Sequence, residues 1–201
     1  MRTSNANGNK IDSFLRRDVD YDAAVDPASG VVTATATVTL HNDAPASGLP
    51  DYVIGNIFGR PRGTSRVYLG FFTADELRSA TLDGSPLPME SQHEFAGQVY
   101  SSLVDLPPGG SATVVLHLVG SVARGPGAES GYRLGIGHQP LVTDDHLSVH
   151  VRSTDPATPV GAAELLAAGD HDLPVSTEPD GASFDVVQQT DLALHVEFHR
   201  S

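Results

Sequence analysis

The chain has no cysteine among its 201 residues, which excludes disulfides, thiolate metal sites and a cysteine nucleophile. It also lacks the run of ~20 apolar residues that a membrane-spanning helix needs, since His117 interrupts its longest apolar stretch, residues 114–123. Residues 1–9 are polar and contain no apolar core of a signal peptide. We therefore expect this end to be a cut point within a longer protein, with Met1 as a start residue.

Basic residues are scarce. The sequence has 12 Lys and Arg against 25 Asp and Glu, which gives a net charge of −13, and Lys10 is its single lysine. An acidic surface repels the phosphate backbone of DNA and RNA. Nucleic acid is therefore not an expected partner.

The chain does have a strong alternation of apolar and polar residues. Across residues 31–40 every second residue is apolar and the residues between them are threonines, in the order Val-Val-Thr-Ala-Thr-Ala-Thr-Val-Thr-Leu. A period of two places one set on a dry face and the other on a wet face of a β-strand. Similar rows recur at residues 112–119, 146–152 and 192–198, and 20 glycines with 14 prolines supply turns. The sequence therefore predicts an all-β protein with antiparallel sheets.

The spacing of strands and turns predicts three parts. Residues 1–11 form a disordered lead-in. Residues 12–122 form an immunoglobulin-like antiparallel β-sandwich. After a glycine-rich boundary, residues 131–201 form a smaller β unit packed against the sandwich, because four strands alone would bury too little surface.

Three local signals interrupt the strand pattern. Asp83–Gly84 predicts a tight hairpin turn. The sequence Thr-Ala-Asp-Glu at residues 73–76 fits a capping box that has room for one helical turn at most. Thr158–Pro159 predicts the start of a short helix that runs through Leu165–Leu166 and ends at Gly169.

Several segments resemble a known family. The chain is similar to the C-terminal part of the uncharacterised bacterial domain-of-unknown-function family 4012 in residues 9–17 (NKIDSFLRR), 42–55 (NDAPASGLPDYVIG), 66–70 (RVYLG), 99–105 (VYSSLVD) and 139–142 (QPLV). The resemblance covers essentially the whole chain. It implies the outward-facing portion of a longer, membrane-anchored actinobacterial protein at the cell envelope. The family has no established activity or catalytic residues, so none is carried over.

The aperiodic segment of residues 42–63 is the best candidate for a binding site, since loops of this length are often functional. Tyr52 lies within it, and Arg60, Arg62 and Arg66 cluster near its end in an otherwise acidic chain. Arginine forks suit carboxylate or phosphate groups and aromatic rings suit sugar faces. In the alternative interpretation, residues 52–54 cap the end of the core while the arginines pair with nearby aspartates.

The nine histidines raise a metal hypothesis. It requires His150 to lie opposite His195 or His199 on a neighbouring strand, because histidines four apart on one strand are ~13 Å apart. In the alternative interpretation, these histidines occupy solvent-exposed positions on strands and bind nothing. We predict neither a metal nor a cofactor.

Acidic clusters at residues 144–146 and 170–172 are interpreted as solvated turns. The sequence has no Gly-x-Ser-x-Gly elbow and no phosphate-binding glycine loop. A Ser/His/Asp triad formed only in space stays open. We predict no catalytic residue.

The leading hypothesis is a non-catalytic, extracytoplasmic β-sandwich module for assembly or ligand binding at a bacterial cell surface. Its partners would be a cell-wall polymer or an envelope protein, and membrane contact would come only through an N-terminal anchor outside this chain. Two alternatives are an accessory domain of an envelope enzyme whose active site lies upstream, and a glycan-binding module that uses Tyr52 and the three arginines.

Overall fold

A computed structural model describes residues 1–94, 97–122, 131–169 and 171–199. Within these ranges the longest helix has four residues, so no described helix can cross a bilayer. The helical elements are a 3-10 turn (Ile11–Phe14) and α1 (Asp51–Ile54). The strands are β1 (Arg2–Asn5), β2 (Leu15–Val25), β3 (Val31–Asn42), β4 (Ser65–Thr73), β5 (Glu76–Leu82), β6 (Ser85–Pro86), β7 (Glu90–Glu94), β8 (Gly97–Leu106), β9 (Ser111–Ser121), β10 (Gly131–Ile136), β11 (Asp145–Ser153), β12 (Val160–Ala167), β13 (His171–Leu173), β14 (Ser176–Glu178), β15 (Gly181–Gln188) and β16 (Leu192–Phe198).

The described strands form one large sheet and two small ones. The large sheet has eight strands in the order β14-β15-β11-β2-β3-β9-β5-β6. The first small sheet has the order β1-β4-β8-β7 and the second has the order β10-β16-β12-β13. Arg17 and Tyr21, which share one face of β2 because they are four residues apart, contact Thr3 of the first small sheet and Tyr132 of the second. Both small sheets therefore cover the same face of the large sheet.

The alternating segment forms the centre of the large sheet. β3 pairs antiparallel with β2 and β9 over its length. Its inward row is 0–5% exposed and consists of Val32, Ala34, Ala36, Val38 and Leu40. This row belongs to a hydrophobic core that includes residues of all three sheets. The predicted all-β, sandwich-like fold is confirmed.

The predicted smaller unit shares the large sheet with the first unit. β11 and β15 extend this sheet beyond β2. β2 and β11 run parallel, with His146 opposite Asp18, whereas the other strand pairs within the described residues are antiparallel, as predicted. Parallel pairing is possible because more than a hundred residues separate the two strands and allow a long crossover. The predicted boundary at residues 123–130 lies outside the described residues.

The prediction of a disordered lead-in over residues 1–11 is wrong. β1 pairs antiparallel with β4, and Thr3, Asn7 and Ile11 are at most 5% exposed. Polar side chains in this segment meet backbone groups of the fold: the Asn7 Nδ2 atom donates a hydrogen bond to the Thr64 carbonyl oxygen at 2.7 Å. Hydrogen bonding thus orders a segment that has little apolar surface to bury.

The prediction of a helix over residues 158–169 is also wrong. β12 occupies most of that segment and pairs with β16 and β13. Its residues Ala-Ala-Glu-Leu-Leu-Ala have high helix propensity, but tertiary context overrides so weak a preference. Leu165 is 1% exposed and lies opposite Leu194 in the core, so sheet pairing buries it.

The two other local signals have different outcomes. The hairpin at Asp83–Gly84 is confirmed, with φ angles of +48° and +79° that suit a type I′ turn. At the predicted capping box no helix forms. The Thr73 side chain instead accepts a hydrogen bond from the Asp75 backbone N–H at 3.0 Å, and β5 begins at Glu76. The short turn directs Asp75 inward, against Gly120 of β9.

Candidate functional site

The loop predicted to bind a ligand is fixed to the body of the protein at two points. Ile54 of α1 is fully buried in a small cluster with Ile11 and Ala44. Asn42 is 1% exposed, and its Nδ2 atom contacts the carbonyl oxygens of Gly63, Leu106 and Pro107 at 2.7–3.0 Å. The loop is therefore an ordered part of the protein surface, held by one buried side chain and three hydrogen bonds.

The arginines of the loop pair with aspartates, as in the alternative interpretation. Arg60 and Arg66 both reach Asp105, at 2.6 and 3.7 Å, and the Arg66 guanidinium lies 5.2 Å from the centroid of the Phe58 ring. Arg62 forms an ion pair with Asp51. The structure thus brings Arg60 and Arg66 together and places Arg62 beside α1.

Tyr52 does not cap the core. It is 71% exposed on α1, and Ile57 (77%) and Phe58 (48%) are exposed on the same loop. Of residues 52–54, Ile54 is buried in the small cluster and Val53 packs, partly buried, against it. An exposed aromatic ring can still stack on a ligand, so the glycan-binding prediction keeps its aromatic component.

The strand pairing required by the metal hypothesis is absent among the described residues. β11, which carries His150, and β16, which carries His195, lie in different sheets. The His150 Nδ1 atom lies 3.3 Å from the Asp22 carboxylate, across the parallel pairing of β2 and β11. No described group of three His, Asp or Glu side chains is arranged to hold a metal ion.

One acidic residue interpreted as a solvated turn residue is buried. Asp145 is 6% exposed, and its two carboxylate oxygens accept hydrogen bonds from Nε and Nη2 of Arg17 at 2.7 and 2.6 Å. The prediction of a solvated turn is wrong here because the parallel register sets Asp145 beside Arg17 inside the core. In the second acidic cluster, Asp170 lies outside the described residues.

The buried arginine also joins β1 of the first small sheet to the segment that follows β10. The Arg17 Nη1 atom donates to Thr3 Oγ1 at 2.9 Å and to Gln139 Oε1 at 2.8 Å. The Gln139 amide pairs with the backbone of Thr3 in the manner of a neighbouring strand, through two hydrogen bonds of 2.8 Å. Arg17, Asp145, Thr3 and Gln139 form what we call the clasp, which ties the β1 edge to the segment after β10.

Beyond the clasp the two small sheets separate and leave a groove of about 1270 Å³. Val19, Tyr21 and Ala36 of the large sheet form part of its floor. All seven consecutive residues 131–137 line it. Successive strand residues point to opposite faces, so the backbone edge of β10 borders the groove. Arg2 of β1 lies on the other side.

Two tyrosine hydroxyls meet inside the groove. The Tyr21 and Tyr132 Oη atoms, from the large sheet and from β10, are 3.0 Å apart. Burial, together with the nearby Asp75 charge, raises the pKa of Tyr21 to about 12. Burial and the neighbouring Tyr21 raise the pKa of Tyr132 further. Both phenols are therefore neutral at physiological pH and serve as hydrogen-bonding groups.

Asp75 is the inner carboxylate of the groove. Its side chain lies against Gly120, where any larger residue would overlap the carboxyl group. No hydrogen bond or ion pair within the described ranges reaches this carboxylate. Burial raises its pKa, because removal of water disfavours the charged form. Arg2, Arg133 and Glu94 also border the groove but are solvent-exposed.

Comparisons with known proteins identify neither a family nor a function. No family model and no curated protein matches the chain. Among solved structures it is similar to a putative nutrient-binding protein from Legionella pneumophila, with 8% identity, a TM-score of 0.49 and coverage of 98% of this chain and 70% of that one. It also resembles an M1 zinc metallopeptidase from Deinococcus radiodurans (14%, TM-score 0.44, 91% of this chain and 42% of that one). A third similar structure is yeast leukotriene A4 hydrolase, with 7% identity, a TM-score of 0.47 and coverage of 91% of this chain and 28% of that one. At these identities and scores the likenesses carry no functional argument.

Proposed function

We propose that this chain is a non-catalytic ligand-binding module and that its ligand lies in the groove between the two small sheets. The observation that carries the proposal is a cavity of about 1270 Å³ with largely apolar walls and three converging polar groups: Tyr21, Asp75 and Tyr132. Such a pocket is the usual site for a ligand in a protein. Its volume exceeds the roughly 300–1,000 Å³ typical of drug-sized ligands, so the groove has room for an elongated molecule.

The proposed setting is the outer surface of an actinobacterial cell envelope, in a protein held to the membrane by a segment outside this chain. The sequence resemblance described above supports this setting. Protease treatment of intact cells tests it: an extracytoplasmic module is degraded, whereas survival until the cells are lysed contradicts the proposed location.

Binding in the groove is tested with N-phenyl-1-naphthylamine, a neutral apolar dye whose fluorescence rises when it leaves water. We expect saturable binding to the wild-type protein. Val19→Phe extends a side chain from the groove floor and should reduce the dye affinity at least tenfold. Val187→Phe is the matched control, because Val187 is 58% exposed on the same sheet and outside the groove.

Absence of dye binding to the folded wild-type protein would overturn the groove as the ligand site. Equal binding by Val19→Phe and the wild type would also overturn it, because the dye would then bind elsewhere. Circular dichroism of each variant verifies that it has folded.

The loop supports a second candidate, glycan binding, because Tyr52 is 71% exposed beside an arginine. Retention on purified cell-wall polymer should fall several-fold in Tyr52→Ala and in the double variant Arg60→Ala/Arg62→Ala. Arg78→Ala serves as the control, since Arg78 pairs with Glu76 at a separate exposed site. Unchanged retention in both loop variants would exclude this candidate.

A further inference from the structure

We propose that the groove selects organic cations, with the Asp75 carboxylate as the counter-ion of an ammonium group and the rings of Tyr21, Phe71 and Tyr132 as its walls. This inference rests on the proposed function of the groove and names the class of ligand that it would take. The three aromatic residues come from the three sheets, Asp75 comes from the turn between β4 and β5, and all four line the same cavity.

The position of Asp75 is the first argument. The turn after β4 places its carboxylate inside the groove, and Gly120 leaves the space that it occupies. A half-buried carboxylate without a described partner loses water and gains no bond in return, which is unfavourable. An ammonium ion would supply both the opposite charge and up to three N–H donors.

The aromatic walls are the second argument. Tyr132 and Phe71 are 6% and 8% exposed, and Tyr21 is hydrogen-bonded to Tyr132. Aromatic faces carry partial negative charge and attract cations, most strongly where water is excluded. The phenol pair also has oxygen lone pairs to accept an N–H group. An aromatic pocket with one carboxylate is therefore suited to a cation that bears an apolar group.

The distribution of the other charges is the third argument. Arg2, Arg133 and Glu94 are exposed, so water and salt screen them. His195 borders the groove too, and its ring lies over Gly131 at the start of β10. The buried α-amino group of Met1 lines the groove as well, and burial lowers its pKa to about 6, which leaves it largely uncharged at neutral pH. Asp75 is less exposed than Glu94, the other carboxylate of the groove, so its interaction with a ligand is screened less.

The test compares three probes of similar size by calorimetry at neutral pH: 2-phenylethylamine, which is a cation, 2-phenylethanol, which is neutral, and 3-phenylpropionate, which is an anion. We expect the amine to bind at least tenfold more tightly than the alcohol and the anion to bind most weakly. In Asp75→Asn the preference for the amine should disappear while the alcohol affinity is kept. Asp20→Asn is the matched control, because Asp20 is exposed on the outer face of β2.

Equal affinity for the amine and the alcohol would overturn the inference, as would an amine preference that persists in Asp75→Asn. If the naphthylamine dye binds and Val19→Phe blocks it, such results defeat the cation preference alone and leave the proposed function standing. If the dye does not bind to the folded wild-type protein, the groove is not the ligand site and both proposals fail.

Discussion

The clasp and the middle of the groove both place an aspartate beneath the small sheets, but only the clasp provides that aspartate with a positively charged partner. Asp145 is paired through both oxygens with Arg17, and that arginine is further bonded to Thr3 and Gln139. The Asp75 side chain lines the groove, and its carboxylate has no hydrogen-bond or ion-pair partner within the described residues. Burial alone therefore does not mark a functional carboxylate. The distinguishing property is whether the fold itself supplies the partner.

Disruption of the clasp should have the largest effect. Arg17→Ala leaves the Asp145 carboxylate buried without its partner, and removal of one member of a buried ion pair costs ~3–5 kcal/mol. We expect a loss of this size in the free energy of unfolding, measured with urea. Arg78→Ala removes an exposed ion pair and should cost only ~0–1 kcal/mol. A similar small loss in both variants would contradict the role of the clasp.

Removal of the Asn42 side chain, which anchors the loop, should cause the next largest loss of stability. Asn42→Ala leaves three carbonyl oxygens without the donor that they share, and a buried unsatisfied polar group costs ~1–3 kcal/mol. Urea unfolding measures the loss. Asn56→Ala is the comparison, because its Nδ2 atom makes one bond of 3.4 Å to Thr64 and its Oδ1 atom accepts one exposed bond of 2.9 Å from the Phe58 N–H. Asn42→Ala should be the more destabilising of the two, and an equal or smaller loss than in Asn56→Ala would contradict the role of Asn42.

Removal of one hydroxyl from the tyrosine pair should have a smaller effect. Tyr21→Phe deletes the hydrogen bond to Tyr132 that joins the large sheet to β10, at a cost of ~0.5–1.5 kcal/mol. Thermal unfolding measures it, and Tyr52→Phe, at an exposed position, should change nothing. A more stable Tyr21→Phe variant would show that the pair does not hold the sheets together.

The Asp75→Asn substitution should raise the stability of the protein at neutral pH, whereas the three substitutions above should lower it. Burial raises the pKa of Asp75 in the folded state, so the protonated form stabilises the fold at low pH and this contribution is lost as the pH rises through that pKa. Asp75→Asn should therefore melt at a higher temperature than the wild type at neutral pH and at a similar temperature at low pH. Asp20→Asn controls for the change in net charge. A lower melting temperature for Asp75→Asn at neutral pH, relative to Asp20→Asn, would contradict the unpaired carboxylate.

The sequence predicts the centre of the fold well because side-chain alternation is a local property. Every second residue of β3 is buried, and the turn residues Asp83 and Gly84 adopt the left-handed conformation that their composition favours. β12 and β1 are missed for a physical reason. Their residues have no alternating apolar row of their own, and pairing with β16 and β4 orders them.

The groove could not be predicted in the same way. Tyr21, Asp75 and Tyr132 are separated by more than fifty residues at each step, and only the arrangement of three sheets brings them together. The clasp depends likewise on the parallel pairing of β2 with β11. The sequence does indicate the candidate loop, because its residues are contiguous, but it does not show whether aspartates pair with the arginines of that loop.

The most direct test of the central claim is a measurement of the Asp75 pKa by NMR titration of its side-chain carboxyl carbon. We predict a pKa above that of an ordinary aspartate in the free protein and a lower pKa when 2-phenylethylamine is bound. A pKa at or below the ordinary value in the free protein would show that the fold already compensates this carboxylate, and would contradict the account.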